Sequence, residues 1–120
     1  MPDRLRFFQH KDHEIFLVDL AAASQQEILD LLPKIQVTVT DKPRGSVLVL
    51  ADFCEAQIDK AVAMRIKEVL ALDRPYVKRA AWVGTETMPN VFYEGFKQFS
   101  QREFPKFKTR EEAMDWLVVD

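Results

Sequence analysis

The chain has 120 residues, a length that suits one domain with one hydrophobic core and excludes a second independent domain. Hydrophobic residues make up 48% and charged residues 30% of the sequence, which is typical of globular proteins and excludes a disordered or collagen-like chain. The net charge of -2 removes the general attraction that nonspecific nucleic-acid binders need, so we expect no nucleic-acid partner.

Cysteine content and apolar runs bear on where the protein works. Cys54 is the only cysteine, so it has no intramolecular disulfide partner, and no set of Cys and His has zinc-site spacing. The N-terminal charges are not followed by a signal-peptide core, and no apolar run approaches the roughly 20 residues of a membrane span. We therefore predict a cytoplasmic protein without a metal or a cofactor.

The first third of the chain predicts a hairpin followed by a helix. Residues 15–20 form a short apolar run typical of a buried strand, and residues 5–9 are expected to pair with it as an antiparallel edge hairpin. Ser24 and Glu27 match a capping box, which predicts a helix start. Residues 35–40 also alternate as a strand would. We favour a helix that is kinked at Pro33 and ends near residue 40.

The middle of the chain predicts a strand, a helix and a strand. Residues 46–52 are the clearest buried strand. An apolar stripe at helical spacing then predicts an amphipathic helix that ends at the break formed by residues 73–75. Residues 76–83 are expected to form the next strand, which is closed by Gly84.

The last third predicts an aromatic helix, an edge strand and a closing helix. Thr85 or Thr87 is the expected cap of the aromatic helix over residues 87–100. Residues 104–107 are short and contain a proline, which favours a sheet edge. A second capping box begins at Thr109 and predicts the last helix.

This alternation of strands and helices predicts an α/β fold for a single domain spanning residues 1–120. We expect a mainly parallel sheet of four to five strands, with an N-terminal edge hairpin and about four flanking helices. Ligands usually meet such sheets at the carboxyl ends of the strands. The candidate site residues there are Asp19, Asp52, Phe53, Cys54, Gly84, Thr85 and Thr87.

The spacing and types of these candidate residues do not match any recognisable catalytic set. Asp52 is interpreted as a helix-capping acid, although desolvation would raise its proton affinity. Cys54 is either a reactive thiolate near a helix start or an inert small side chain; the second is favoured because no histidine is near it in sequence. His10 and His13 fall in the predicted hairpin turn, and Gly84 lacks the multi-glycine spacing of a phosphate loop.

A basic and aromatic segment near the C-terminus has two interpretations. Lys97, Arg102 and Lys106 are interleaved with phenylalanines, which suits contact with an anionic surface. The alternative is that the aromatic side chains belong to the core and the charges between them are solvated.

Several segments together resemble the STAS-like domains of anti-sigma-factor antagonists and sulfate transporters, and a bacterial single-domain branch that is similar to CRAL-TRIO lipid-binding domains. The resemblance covers about residues 14–118 and is carried by residues 46–53, 74–84 and, most specifically, 109–117. It implies a phosphorylatable serine shortly after the strand-ending aspartate. Asp52 matches that aspartate, but residues 54–66 contain no Ser or Thr, so the family's phosphorylation switch is not expected here.

We therefore predict a noncatalytic binding or regulatory module, not an enzyme, that docks a partner protein or a small apolar ligand. One alternative is a lipid-binding or peripheral membrane protein in which the aromatic helix 87–100 is a lid and Lys97, Arg102 and Lys106 contact the membrane. A homodimer is also left open. An enzyme is the least favoured reading; it would need Asp19, Asp52 and Cys54 to converge in space.

Overall fold

The computed structural model describes residues 4–100 and 105–119, with side chains from residue 4 to 98 in the first segment. The strands are, in chain order, β1 (Leu5–His10), β2 (His13–Asp19), β3 (Val47–Asp52), β4 (Val77–Val83) and β5 (Lys106–Phe107). The helices are α1 (Gln25–Thr40), α2 (Lys60–Asp73), α3 (Asn90–Ser100) and α4 (Arg110–Leu117), with a short 3-10 helix at Thr85–Thr87.

The five strands form one sheet in the order β1-β2-β3-β4-β5. The β1–β2 hairpin is antiparallel and lies at one edge, whereas the neighbours from β2 to β5 pair in parallel. The hairpin turn is made by Lys11 and Asp12, both with positive φ. The predicted α/β fold, with a mainly parallel sheet and an N-terminal edge hairpin, is confirmed.

The helices are distributed unequally over the two faces of the sheet. Helices α1, α2 and α3 pack in series on one face, and α4 covers the other. Parallel strands that follow each other in sheet order, joined by right-handed crossovers, place their connecting helices on the same face. Because α4 follows the last strand, it is not a crossover and can pack on the opposite face.

Helix α1 includes the segment that was ambiguous in sequence. Ser24 Oγ accepts the Glu27 N–H at 3.1 Å and Glu27 Oε1 accepts the Ser24 N–H at 3.0 Å, which completes the predicted capping box. Pro33 lies inside the helix, as expected. Ile35 and Val39 are both buried and lie four residues apart, as on one side of a helix. Residues 35–40 therefore continue α1 and do not form a strand.

The aromatic helix starts later than predicted. It begins at Asn90, and neither Thr85 nor Thr87 caps it, because the two threonines form the separate 3-10 helix. Met88 has ψ 136°, an extended conformation that is favoured before a proline such as Pro89. The proline therefore separates the two helical segments.

The C-terminal elements agree with the prediction where they are described. β5 is short and lies at the sheet edge beside β4, and residue 104 of the predicted strand lies outside the described residues. Thr109 Oγ1 accepts the Glu112 N–H at 3.2 Å and so caps α4. Ala113 and Leu117 face the sheet and are buried.

Candidate functional site

The carboxyl edge of the sheet, which we define as the ends of β2, β3 and β4 with the loops 20–24, 53–59 and 84–89, holds most of the predicted site residues. Asp19 and Asp52 are register partners at the ends of β2 and β3. The Leu20 N–H donates to Asp52 O at 2.9 Å, and the Phe53 N–H donates to a carbonyl at the end of β4 at 2.8 Å. The three strands therefore enter their loops at the same level.

Arg110, the first residue of α4, joins the two strand-end acids. Its Nε lies 2.9 Å and its Nη2 lies 2.8 Å from Asp52 Oδ2, and Nη2 also lies 3.2 Å from Asp19 Oδ1. Asp52 is 7% exposed, and its other oxygen, Oδ1, accepts the Cys54 N–H at 2.9 Å. Burial lowers the pKa of Arg110, but the hydrogen bond and charge of Asp52, helped by Asp19, outweigh it and raise that pKa overall. In this cluster the positive charge of Arg110 is therefore paired with the carboxylates of both Asp19 and Asp52.

The loops of the carboxyl edge are tied to one another through the backbone. The Ala22 N–H donates to Cys54 O at 2.8 Å, and the Gln57 N–H donates to Ala23 O at 3.0 Å. The Glu55 N–H donates to Thr87 Oγ1 at 2.9 Å. Because each loop is bonded to a neighbour, the edge has a fixed shape.

Gly84 permits this close contact between loops. Its φ is +75°, and a Cβ built on it would lie 2.4 Å from the Cys54 nitrogen. Any other residue would therefore be strained in the backbone and would clash with the neighbouring loop. Gly84 belongs to the site as a packing residue.

Cys54 has an exposed side chain in a negative environment. The pKa of its thiol is raised, first by desolvation and then by the charges of Asp52, Glu55 and Glu86. A raised pKa leaves the thiol protonated at neutral pH, whereas reactive cysteines need a lowered one. The observation favours the inert interpretation of Cys54.

The structure separates the seven predicted residues at the strand ends. Four lie on the exposed surface of the carboxyl edge or in the Arg110 cluster, namely Asp19, Asp52, Cys54 and Thr87, whereas Gly84 is buried where two loops meet. Phe53 and Thr85 are instead 4% and 6% exposed, and Phe53 packs against Trp82 with ring centroids 4.6 Å apart. Those two residues belong to the core.

Charged residues at this edge that were not predicted as members of the site include Arg110, Glu55, Glu86 and Arg4, whose guanidinium donates to Asp19 O and Ala21 O at 3.1 and 3.0 Å. Arg110 is 58 positions from Asp52, and no spacing rule connects them. In the sequence, Arg110 is one basic residue after Thr109, and nothing around it indicates a partner at the end of β3. The rule that a buried acid is usually paired predicts a cation near Asp52, but it does not say which Lys or Arg supplies it.

Comparisons with known proteins bear on the fold. No protein-family model and no curated protein sequence matches this chain. A crystal structure of an uncharacterised protein of the DUF3478 family from Shewanella loihica PV-4, described as having a SpoIIAA-like fold, superposes with a TM-score of 0.73. The likeness covers 95% of this chain and 92% of that one. This chain has a SpoIIAA-like fold. At 16% identity the likeness concerns the fold alone, and it confirms the STAS-like architecture predicted from the sequence.

In this SpoIIAA-like fold the segment after Asp52 carries acids where the resemblance implies a serine. Helix α2 is capped by Asp59, whose Oδ1 accepts the Val62 N–H at 2.8 Å. Residues 54–66 supply no hydroxyl to this loop and helix start. The loop after Asp52 and the N-cap of α2 therefore carry the carboxylates of Glu55 and Asp59 in place of a hydroxyl.

The basic and aromatic segment has both of the features that its two interpretations required. Tyr93 and Phe96 are buried and pack against Trp82, with ring centroids 5.8 and 5.7 Å away. Lys97 Nζ and Lys106 Nζ lie 5.7 and 4.1 Å from the centre of the Tyr93 ring. α3 thus contributes aromatic rings to the core, and Lys97 of α3 and Lys106 of β5 both lie near the Tyr93 ring, while Arg102 lies outside the described residues.

An apolar cavity lies elsewhere, between the sheet and helices α1 and α2, and has a volume of about 80 Å³. Among the side chains that the structure describes, none from α3 lines it. Helices α1 and α2 cover this cavity, so it does not test the alternative in which helix 87–100 is a lid, and that alternative stays a prediction.

The described residues also bear on metal binding and on membrane insertion. Within residues 4–100 and 105–119, no three His, Cys, Asp or Glu side chains are grouped as a metal site requires. In the same part of the chain, no helix has both the length and the hydropathy needed to cross a bilayer.

Proposed function

We propose that the protein is a noncatalytic, cytoplasmic binding module that docks a partner protein through the carboxyl edge. The pairing of Arg110 with both Asp19 and Asp52 carries this proposal. A general base must be able to accept a proton, and these two acids are engaged with a guanidinium instead. The raised pKa of Cys54 likewise disfavours a nucleophile.

The charge of the edge supports a basic partner surface. Glu55 and Glu86 are exposed, and no ion pair joins either of them to another described side chain. Both contribute to the negative field that raises the Cys54 pKa. Electrostatic complementarity then favours a partner that presents Lys or Arg to this edge.

The rigidity of the edge supports recognition in the same way. Its loops are linked by backbone hydrogen bonds, such as that from Ala22 to Cys54, and by the Thr87 hydroxyl. A surface that is already ordered loses less conformational entropy when it binds. This feature is useful to a docking module and does not depend on any chemical step.

The experiment compares two charge-matched double variants in affinity capture followed by mass spectrometry. Glu55→Lys/Glu86→Lys alters the carboxyl edge, whereas Glu14→Lys/Glu68→Lys makes the same charge change on exposed residues outside it. We expect a defined partner to bind the wild type and the control, with at least a tenfold loss for the edge variant. Equal capture by both variants would overturn docking at this edge.

Two further measurements complete this test. Sedimentation velocity of the purified protein checks whether the partner is a second copy of the chain. A turnover assay checks the noncatalytic assignment: an activity that Asp52→Asn removes from a folded protein would contradict it.

A second candidate function is peripheral binding to an anionic membrane, favoured by the placement of Lys97 and Lys106 around Tyr93. It predicts cosedimentation with phosphatidylserine vesicles that weakens as salt rises. Lys97→Glu/Lys106→Glu should abolish this binding, and the charge-matched Lys34→Glu/Lys78→Glu should retain most of it. Absence of binding at low salt would exclude the candidate.

A further inference from the structure

A second pocket lies at the amino ends of the parallel strands, at the opposite end of the sheet from the carboxyl edge. Its volume is about 360 Å³. β3 runs from Val47 in this pocket to Asp52 at the carboxyl edge, so the two places are roughly 17 Å apart. We call it the amino-end pocket, and its lining includes Phe7, His13, Glu14, Lys42, Pro43 and Lys78.

Lys78 enters the amino-end pocket from an irregular position in β4. The register between β3 and β4 shifts between Val47 and Leu48, whose partners are Val77 and Arg79. Lys78 is therefore an extra residue of β4 without a partner in β3. Bulges of this kind are frequent beside active sites, where they redirect a side chain. Lys78 is exposed and forms no ion pair with a side chain of residues 4–98 or 105–119, so its charge is available to a ligand.

Lys42 is held in the amino-end pocket by two neighbours. Its Nζ lies 4.0 Å from Glu14 Oε1 and 4.5 Å from the centre of the Phe7 ring. The side chains of Lys42 and Glu14 are 38% and 50% exposed, so an ion pair at this distance contributes little to stability. These contacts therefore position the ammonium group and leave it accessible to a ligand.

The charges of the amino-end pocket favour a ligand with one negative charge. Lys42 and Lys78 contribute +2 and Glu14 contributes -1, so the formal charge of the lining residues is +1 with His13 counted as neutral. The whole chain has a net charge of -2, so the positive charge is a local feature. A carboxylate neutralises it, whereas a phosphate monoester, with about -1.5 to -2 at pH 7, exceeds it.

We propose that the amino-end pocket binds a small organic acid whose carboxylate pairs with Lys42 and Lys78. Apolar side chains such as Phe7 and Pro43 suit a ligand with a carbon body, and small-ligand pockets usually combine apolar walls with a few polar groups. The volume is more than twice the ~150 Å³ of a cavity that admits benzene, so one ring with a carboxylate fits. The occupancy of this pocket does not depend on partner docking at the carboxyl edge.

The test compares benzoate with benzamide, which has nearly the same shape but no charge. Binding at constant ionic strength is followed by the backbone amide NMR signals of Ser46 and Lys78, two residues that line the pocket. We expect benzoate to bind at least about fivefold more tightly than benzamide, because it pairs with two lysines. Acetate has the charge without the ring and should bind at least about fivefold more weakly than benzoate, because it buries less apolar surface.

Three variants locate the origin of the preference for benzoate over benzamide. Lys42→Met/Lys78→Met should abolish it. Lys60→Met/Lys108→Met removes two exposed lysines beside the starts of α2 and α4, outside the pocket, and should retain it. Glu14→Gln removes the one acid among the described residues that line the pocket. It should strengthen benzoate binding about threefold, a gain that misfolding does not produce.

Four outcomes would overturn the proposal. In the wild type they are failure to bind benzoate and equal affinity for benzoate and either of the other two probes. In the variants they are persistence of the preference in Lys42→Met/Lys78→Met and an equal loss of it in Lys60→Met/Lys108→Met. The comparison of probes uses the unmodified protein, so it decides the matter even where a variant does not fold. Loss of partner docking in the carboxyl-edge variants would leave all four outcomes unaffected.

Discussion

Asp52 at the end of β3 and Asp73 at the end of α2 are equally buried, at 7% and 6% exposure, yet their surroundings differ. Asp52 receives the Cys54 N–H and the guanidinium of Arg110. Asp73 has one oxygen without a hydrogen-bond partner among the described residues, and burial raises its pKa to about 7. Burial by itself therefore does not determine what a carboxyl does.

The difference follows from the elements that carry the two acids. Where β3 ends, the chain turns so that the Cys54 N–H points back and donates to the Asp52 side chain two residues earlier. The end of a helix instead presents carbonyl oxygens and the negative end of its dipole, which disfavour a carboxylate. Asp52 is therefore paired with a cation, whereas Asp73 keeps an oxygen that has no hydrogen-bond partner among the described residues.

The largest effect is expected from a substitution at Gly84, which packs against Cys54, the residue whose N–H donates to Asp52. Gly84→Ala should lower the free energy of unfolding by about 4 kcal/mol, because backbone strain at positive φ adds to overpacking against Cys54. Gly45→Ala is the matched control: φ is +68°, but no atom of the described residues lies within 4 Å of its Cβ position, so strain alone should cost about 1 kcal/mol. Urea denaturation measures both, and equal losses would contradict the close contact at Gly84.

A smaller effect is expected when Asp52 is deprived of its cation. Arg110→Met should destabilise the protein by about 3 kcal/mol, since it leaves a buried carboxylate unpaired. Adding Asp52→Asn should recover at least half of that loss. Arg65→Met breaks only the exposed pair with Glu68 and should cost less than about 0.5 kcal/mol in the same urea assay. If Arg110→Met lowers the free energy of unfolding no more than Arg65→Met does, Asp52 would not depend on its cation and would not differ from Asp73 in this respect.

The smallest effect concerns the proton on Asp73. Its pKa is raised from 3.8 to about 7, so between these values the folded state holds the proton more tightly than the unfolded state. Stability should therefore fall by about 2 kcal/mol as the pH rises from 5 to 8. Asp73→Asn removes this component, and urea denaturation at both pH values should show a shallower fall than in the wild type. Identical pH dependence would mean that burial does not perturb Asp73.

Local signals in the sequence predicted the secondary structure well where capping and periodicity agreed. Ser24 with Glu27 marked the start of α1, and burial of Ile35 and Val39 decided that the segment with strand-like alternation is helical. The start of α3 was placed too early because the capping signal of Thr87 was given more weight than the extended conformation required before Pro89.

The candidate site was only half predictable. Strand-end positions identified Asp19, Asp52, Cys54 and Thr87, since parallel strands direct their carboxyl ends to one edge. The pairing with Arg110 depends on α4 crossing to the opposite face of the sheet, and no local pattern encodes that placement. The exact position of a core cavity likewise depends on how side chains of several elements fill the space between them.

The sequence by itself determined the order of strands and helices, the helix caps and the parallel α/β architecture, because hydrophobic period and capping chemistry act over a few neighbouring residues. Only the tertiary structure decided which acids acquire partners. Charge pairing and cavity formation depend on distances between residues far apart in the chain, such as the 2.8 Å from Arg110 Nη2 to Asp52 Oδ2, and packing sets those distances.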